Sequence, residues 1–438
     1  MTRRTGSNRR DFLKTTSALA ATGAMAGGMP LARAAQPAGG DVLRIGLIGC
    51  GGRGTGAAIN AMNADKNCKI TALADVFEDR LQSSLKSIKK MAERAETPEK
   101  AAVDAEHCFV GFDAGRKLIA SDVDVVLLGE PPHFRPAHLK AAIDAGKHVF
   151  SEKPVAVDAP GIRSVLASAE EAKRKNLNLV AGLCWRYDYG VRETIKRVLD
   201  GAIGQIKCIQ ETYLASPLSH RPRRPDQTEF EYQLRNWQYF VWLSGDFNAE
   251  QHVHSLDKAA WVMRDETPLR AWGQGGRLRR DPTQGDVYDH HVVAYEFADG
   301  TPVYAFCRQI AGCQNDVRDI FIGTEGRADV LNHEITGANP WKYNGPKPSM
   351  YDVEHQELFA AIRSGNTIND GDYLAKSTMW AILGRMANYV GRPLTWDEAL
   401  NSRLDYSLPE YSLDSTPPVL PDADGNYPIS LPGVTKFV

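Results

Sequence analysis

The stretch Gly49-Cys50-Gly51-Gly52-Arg53-Gly54 follows at once on the apolar run Val42–Ile48 and opens a helical pattern over Thr55–Asn63. An unbroken apolar run of this length is a strand buried on both faces, which belongs to a parallel sheet. Glycines at the first, third and sixth places serve a tight turn, close approach of a phosphate-bearing ligand to the backbone, and close packing of helix on strand. The helix that follows offers that ligand unpaired N–H groups and the positive end of its dipole. A second apolar run, Cys68–Ala74, ends in Asp75, 21 residues after Gly54. A carboxylate at that place accepts hydrogen bonds from the adenosine ribose of a dinucleotide and repels a 2′-phosphate. Gly49, Gly51, Gly52, Arg53, Gly54 and Asp75 are therefore the expected cofactor contacts. NAD is expected ahead of NADP, because no arginine directly follows Asp75.

Beyond this point strands and helices keep alternating. A charged helical stretch runs over Val76–Arg94, a buried strand over Ser121–Gly129, a helix over Ala137–Ala145, and a further strand starts at His148. Such alternation predicts a doubly wound parallel sheet, here a Rossmann domain over 42–155. After Pro154 the texture changes. Helices at Gly161–Lys175 and Gly190–Leu199, with a strand at Leu177–Gly182, precede longer β segments at Ile206–Ala215, Leu269–Arg277, His291–Phe297, Val303–Gln309 and Asp319–Ile322. That series predicts a large, mainly antiparallel open sheet in a second α/β domain over 156–400, closed by helices at Val353–Ser364 and Tyr373–Val390. Residues 401–438, rich in Pro, Asp and Ser, read as an extended tail.

Glu152-Lys153-Pro154 sits just past a strand end, where open α/β sheets place their ligand crevice. The block from Ala141 to Pro154, containing Ala145-Gly146-Lys147-His148-Val149-Phe150-Ser151-Glu152-Lys153-Pro154, resembles the AGKHVxxEKP block of the glucose–fructose oxidoreductase/inositol dehydrogenase (Gfo/Idh/MocA) family. Pro131-Pro132-His133 resembles that family's TPxxxH segment, with Glu130 where threonine is usual. Arg186-Tyr187 and Gly201-Ala202-Ile203-Gly204 match its next pattern, and the likeness runs from about residue 43 to 400, to Gly391-Arg392-Pro393-Leu394 and beyond. The resemblance implies a nicotinamide-dependent oxidoreductase acting on CH–OH groups of a sugar, glycoside or cyclitol. It adds Pro131, His133, Glu152 and Lys153 to the cofactor contacts. The family's D-x-x-x-H pair falls on Glu250-Gln251-His252-Val253-His254, ahead of Asp257, with Glu250 in the place of the aspartate. Their i, i+4 spacing puts Glu250 and His254 on one helical face.

Oxidising an alcohol requires a base for the hydroxyl proton beside an acceptor for the hydride. Lys153 or His254 can be that base: a lysine through desolvation and like charge, a histidine with little shift. The resemblance implies His254 as acid/base, Lys153 as hydroxyl donor or proton partner, and Glu250 as the group orienting the substrate. Arg186, Tyr187, Arg235 and Trp237 are weaker substrate candidates, with Trp185 and Asn236 beside them. Asp289-His290-His291 with His252 and His254 matches no metal-ligand spacing, so no metal is expected. Arg221–Arg224 reads as a solvated loop.

The 438 residues carry a net charge of −2 with 43% hydrophobic and 24% charged residues, which excludes nothing globular and favours neither nucleic acid nor an anionic membrane. Seven scattered cysteines without a CxxC pair do not form a disulfide framework. Asn8-Arg9-Arg10-Asp11-Phe12-Leu13-Lys14, a weakly apolar run to Met29, and Ala32-Arg33-Ala34 read as a twin-arginine signal peptide over residues 1–35, too short and Ala/Gly-rich to span a membrane. The expected location is periplasmic, and the family resemblance implies a possible homo-oligomer formed through the open sheet. Two rival readings stand beside net dehydrogenation. One is transient redox that cleaves a glycosidic bond and returns the hydride, as in glycoside hydrolase family 109; the other is non-catalytic dinucleotide binding.

Overall fold

The computed structural model describes residues 41–438; the twin-arginine segment lies outside them. The first sheet is built from β1 (Leu43–Ile48), α1 (Gly52–Ala64), β2 (Cys68–Asp75), α2 (Glu78–Arg94), β3 (Cys108–Val110), α3 (Ala114–Ala120), β4 (Val125–Leu128), α4 (Arg135–Asp144), β5 (His148–Ser151), α5 (Ala159–Lys175) and β6 (Leu179–Ala181). All its strand pairs are parallel, in the order β3-β2-β1-β4-β5-β6. The order reverses between β1 and β4, and a crevice opens beyond the carboxyl ends of the strands at such a reversal. Gly49, Glu130 and Lys153 all follow strands that end there. β6 continues this sheet past residue 155, where the sequence pattern had placed the end of the first domain.

A second sheet follows α6 (Tyr189–Leu199). Its strands are β7 (Ile206–Ala215), then, after the short helices α7 (Glu229–Arg235), α8 (Val241–Ser244), α9 (Phe247–Glu250) and α10 (Val253–Val262), β8 (Arg270–Gly276), β9 (His290–Glu296), β10 (Pro302–Gln309), β11 (Asp316–Gly323), β12 (Gly326–Asp329), β13 (Glu334–Gly337), β14 (Trp341–Lys342) and, after α11 (Met350–Ser364) and α12 (Gly371–Val390), β15 (Leu394–Thr395), with α13 (Trp396–Leu400) closing the series. The order is β14-β13-β12-β11-β7-β10-β9-β8-β15. Only β7 and β10 pair in parallel; the other pairs are antiparallel. The expected doubly wound sheet with a mainly antiparallel partner is thus what forms. Helix α12 is apolar on nearly every side because it is enclosed on nearly every side. Its Trp380 and Met379 join Leu139, Leu179, Leu256 and Val293 in one apolar core that reaches both sheets.

Residues 401–438 hold no helix or strand, yet they are tied down along their length. Thr228 Oγ donates to the Leu413 carbonyl (2.6 Å), Gln233 Nε2 to that of Val419 (2.8 Å) and Arg277 to that of Tyr427 (3.0 Å). Tyr411 packs against Phe112 and Phe134 of the first sheet's connections. Among the described residues no helix is long and apolar enough to cross a membrane.

Candidate active site

A cleft of about 440 Å³ opens where the topology places it, within the size range of small-molecule sites. Its first wall is the glycine turn. Gly49 has φ +90°, and a Cβ on Gly54 would stand 1.9 Å from the Gly49 carbonyl oxygen, so neither place admits a side chain without backbone movement. A Cβ on Gly51 or Gly52 would meet nothing within 4 Å, which leaves open space beside the first turn of α1. No side chain caps that turn. Its N–H groups are therefore available to an anion. The helix starts at Gly52, three residues before its expected start, because the glycines themselves form its first turn.

Asp75 ends β2 with Oδ2 accepting from Cys50 N (2.7 Å) and Oδ1 accepting from Phe77 N (2.8 Å). Each oxygen keeps a free lone pair, so the aligned carboxylate can still accept from ribose hydroxyls. The open glycine turn, the uncapped helix and this carboxylate together fit a dinucleotide. Arg80, one turn past Asp75, and Arg221 line the same part of the cleft. Sequence reading passed over both, since only a residue directly after Asp75 was weighed and Arg221–Arg224 looked solvated. Arg223 and Arg224 do face outward, to Glu229 and Glu231.

The opposite end of the cleft is lined by Glu152, Lys153 and Glu250. Lys153 Nζ donates to the Glu250 carbonyl oxygen and lies 3.4 Å from its Oε1, with both side chains nearly buried. Glu152 Oε1 receives Arg53 Nε at 2.5 Å, and Arg53 stacks on Tyr351 with 4.6 Å to the ring centre. Arg53 thus lines the cleft while engaged with Glu152 and Tyr351. Glu130, in place of the family's threonine, lines the wall and meets His138 Nδ1 at 3.0 Å.

Glu250 and His254 do not share one continuous helix. α9 ends at Glu250, residues 251–252 form a turn, and α10 begins at Val253. Asp246, at φ +71°, caps the start of α9, and its carboxylate accepts from the Tyr389 hydroxyl and the Tyr288 N–H and meets His291 Nε2. His254 is partly buried, with Nδ1 enclosed and unpartnered, which leaves Nε2 as the nitrogen available to a ligand. Burial, with Lys153, Lys258 and Arg53 near it, holds this imidazole well below the usual histidine range. The neutral ring is a hydrogen-bond acceptor. His252 is fully buried, its Nδ1 3.1 Å from Asn248 Oδ1, and takes no part.

Four expected side chains are not among those lining the cleft: His254, described above, and His133, Arg186 and Tyr187. His133 does not line the cleft: Nε2 meets the Tyr411 hydroxyl at 2.7 Å and the ring abuts Trp242, because the tail occupies the space beside it. Arg186 is buried against Asp257 (2.9 Å) and Asp265 (2.6 Å), and Tyr187 donates to Asp370 (2.7 Å). Both are satisfied core groups rather than substrate contacts. Arg235 lines the cleft but is engaged with Glu231 and Asp79 and stacks on Phe77; Trp237 and Pro131 line it as expected. Among the described residues no three His, Cys, Asp or Glu side chains gather as a metal site.

Known proteins share this plan. Residues 43–178 match the model of an oxidoreductase family with an NAD-binding Rossmann fold. The chain is 36% identical over 338 residues to an inositol 2-dehydrogenase of Agrobacterium fabrum, covering 74% of this chain and 87% of that one. It is 31% identical over 346 residues to an inositol 2-dehydrogenase of Cereibacter sphaeroides (74% and 86%). A glycosyl hydrolase family 109 protein of Streptomyces coelicolor is 28% identical over 166 residues, 37% of this chain and 32% of that one. In fold it resembles the aldose-aldose oxidoreductase of Caulobacter crescentus, with a TM-score of 0.63 at 19% identity over 81% of this chain and 99% of that one. A dinucleotide cleft with lysine and glutamate at its far end, and relatives alike over most of their length, lead to one statement: the chain belongs to the Gfo/Idh/MocA family of NAD-binding oxidoreductases.

Proposed function

We propose that this protein oxidises a secondary hydroxyl of a cyclitol, sugar or glycoside, transferring the hydride to NAD. The observation that carries the reading is the Lys153–Glu250 pair at the far end of the dinucleotide cleft, 3.4 Å apart and nearly dry. The bound nicotinamide supplies the hydride acceptor. Glu250 Oε2 is buried without a partner, so it is an acceptor waiting for a substrate hydroxyl. Lys153 donates to the oxygen that is being oxidised and holds negative charge as it develops there. The neutral imidazole of His254 takes the hydroxyl proton through Nε2. Low exposure of all three groups keeps water from competing and strengthens each contact.

Support for a polyol comes from the inositol 2-dehydrogenases, alike over most of their length. The family 109 relative favours a second reading, in which the ketone forms transiently, a glycosidic bond is eliminated and the hydride returns. The test is to offer the full chain with NAD a panel of inositols, aldoses and glycosides, following reduced-nicotinamide absorbance and products together. Absorbance rising with a keto product supports net oxidation. Cleavage without net absorbance change installs the second reading, and no reaction with any member overturns both.

We further read Asn8–Lys14 and Ala32–Ala34 as a twin-arginine signal that sends the folded, cofactor-loaded chain to the periplasm. Residues 42–155 and 156–400 are taken as its two domains, with a homo-oligomer forming through the open sheet. Replacing Arg9 and Arg10 with lysine is expected to keep the protein in the cytoplasmic fraction.

A further inference from the structure

Helix α10 rests on the second sheet through side chains that an apolar core would not require. Glu211 of β7 and Asp319 of β11 stand opposite each other in register, and both are fully buried. Two carboxylates facing each other away from water do not both stay ionised. Burial, with Asp319 beside it, pushes Glu211 well above the carboxylate range. Burial acts on Asp319 too, but Lys258 and the neighbouring donors outweigh it and hold Asp319 below that range. Lys258, itself 1% exposed, brings its Nζ to 3.1 Å from Asp319, 2.7 Å from the carbonyl oxygen of His254, and 5.2 Å from the centre of the Trp185 ring. The cluster is therefore one protonated acid, one carboxylate and one ammonium, with charges that cancel.

Stability does not account for it. A buried ion pair replaced by well-packed apolar residues usually leaves a protein as stable or more so. What apolar residues would not supply is a fixed cation next to His254 and a grip on its backbone. We propose that Lys258, anchored by Asp319 and Glu211, is a positioning residue for His254: it pins the first turn of α10 through the His254 carbonyl and sets a permanent positive charge beside the imidazole, so that the ring meets a substrate hydroxyl as an acceptor. The proposal rests on His254 being the group that takes the hydroxyl proton. The other charges around this ring are already engaged: Lys153 with Glu250, Arg53 with Glu152, and Asp257 of the same helix with Arg186. Among the described residues, Lys258 is the one cation near the ring whose anchors lie in the second sheet.

Removing Lys258 alone strands a buried carboxylate, so the variant to read is Lys258→Met combined with Asp319→Asn, which keeps the cluster neutral. Full-length protein loaded with NAD and carrying 15N-labelled histidine is titrated between about pH 5 and pH 8, with His254→Gln identifying the resonance. Wild-type His254 is expected to stay neutral throughout. In the double variant its protonation equilibrium is expected to move up at least about tenfold, far enough that the ring begins to protonate at the acid end of this range. Glu211→Gln, which keeps Lys258 and Asp319 in place, is expected to match wild type. An unchanged His254 in a folded double variant overturns the proposal. Loss of the fold overturns it too, since the cluster would then serve the fold itself. Because the titration needs no substrate, it is decided independently of whether any polyol is oxidised; where one is, the acid limb of the kcat profile moves to higher pH in the double variant.

Discussion

Lys153 and Glu250 meet although they belong to different sheets' connections: the lysine follows β5 of the parallel sheet, the glutamate ends α9 before β8 of the other. Their contact fixes the far end of the cleft, and every group that can act on a hydroxyl is placed relative to it.

Lys153→Met removes the donor from that end while leaving the glycine turn and Asp75 untouched. Oxidation of the best polyol is expected to fall by about 10²–10³-fold in kcat, with a smaller loss of NAD affinity. Steady-state kinetics and a fluorescence titration of NAD measure the two separately.

Gly54→Ala acts at the other end. The new methyl would stand 1.9 Å from a backbone oxygen, not from a side chain that can turn away. Overpacking of this kind costs about 1–3 kcal/mol, and the displaced turn is expected to weaken NAD binding at least about tenfold. Denaturant unfolding and the same titration report the two effects.

Much of this was legible in the chain. Buried parallel strands announce themselves as unbroken apolar runs, and the glycine turn with Asp75 located the cofactor end of the cleft. The short pieces β3, α3 and α7–α10 were not legible, because segments of three to ten residues carry too few turns for periodicity to show. Glu250 and His254 do not share the expected helix, because the four-residue α9 and the turn after it are too short for their boundary to show in the sequence pattern. Arg186 and Tyr187 misled for a different reason. A buried polar residue with all its partners looks, in sequence, like one awaiting a substrate, and only the positions of Asp257, Asp265 and Asp370 tell them apart.

Arg186→Ala tests that distinction. The change leaves Asp257 buried beside no cation, and breaking a buried pair this way costs about 3–5 kcal/mol. A large loss of unfolding free energy is expected, with KM for the polyol unchanged in the fraction that stays folded.

Acid is expected to destabilise the fold early. Burial lowers His148 to about 4 and His252 and His355 to about 3. An unfolded histidine takes up a proton near pH 6.5, about where these three folded ones still refuse it. The unfolded state then binds more protons, so stability is full above that pH and drains away as pH falls toward 4. Each group contributes up to about 1.4 kcal/mol per pH unit. Urea midpoints between pH 7 and pH 5 check the slope, and His355→Phe, which keeps a ring between Phe150 and Phe359, is expected to flatten it.

The tail offers no group to the chemistry, yet Tyr411 leans on Phe112 and Phe134, both of which line the cleft, and occupies the hydrogen bond of His133. The stretch a deletion study would discard first thus braces two of the rings that line the cleft. The shape of the cleft is thereby tied to a residue more than 350 positions along the chain from the glycine turn.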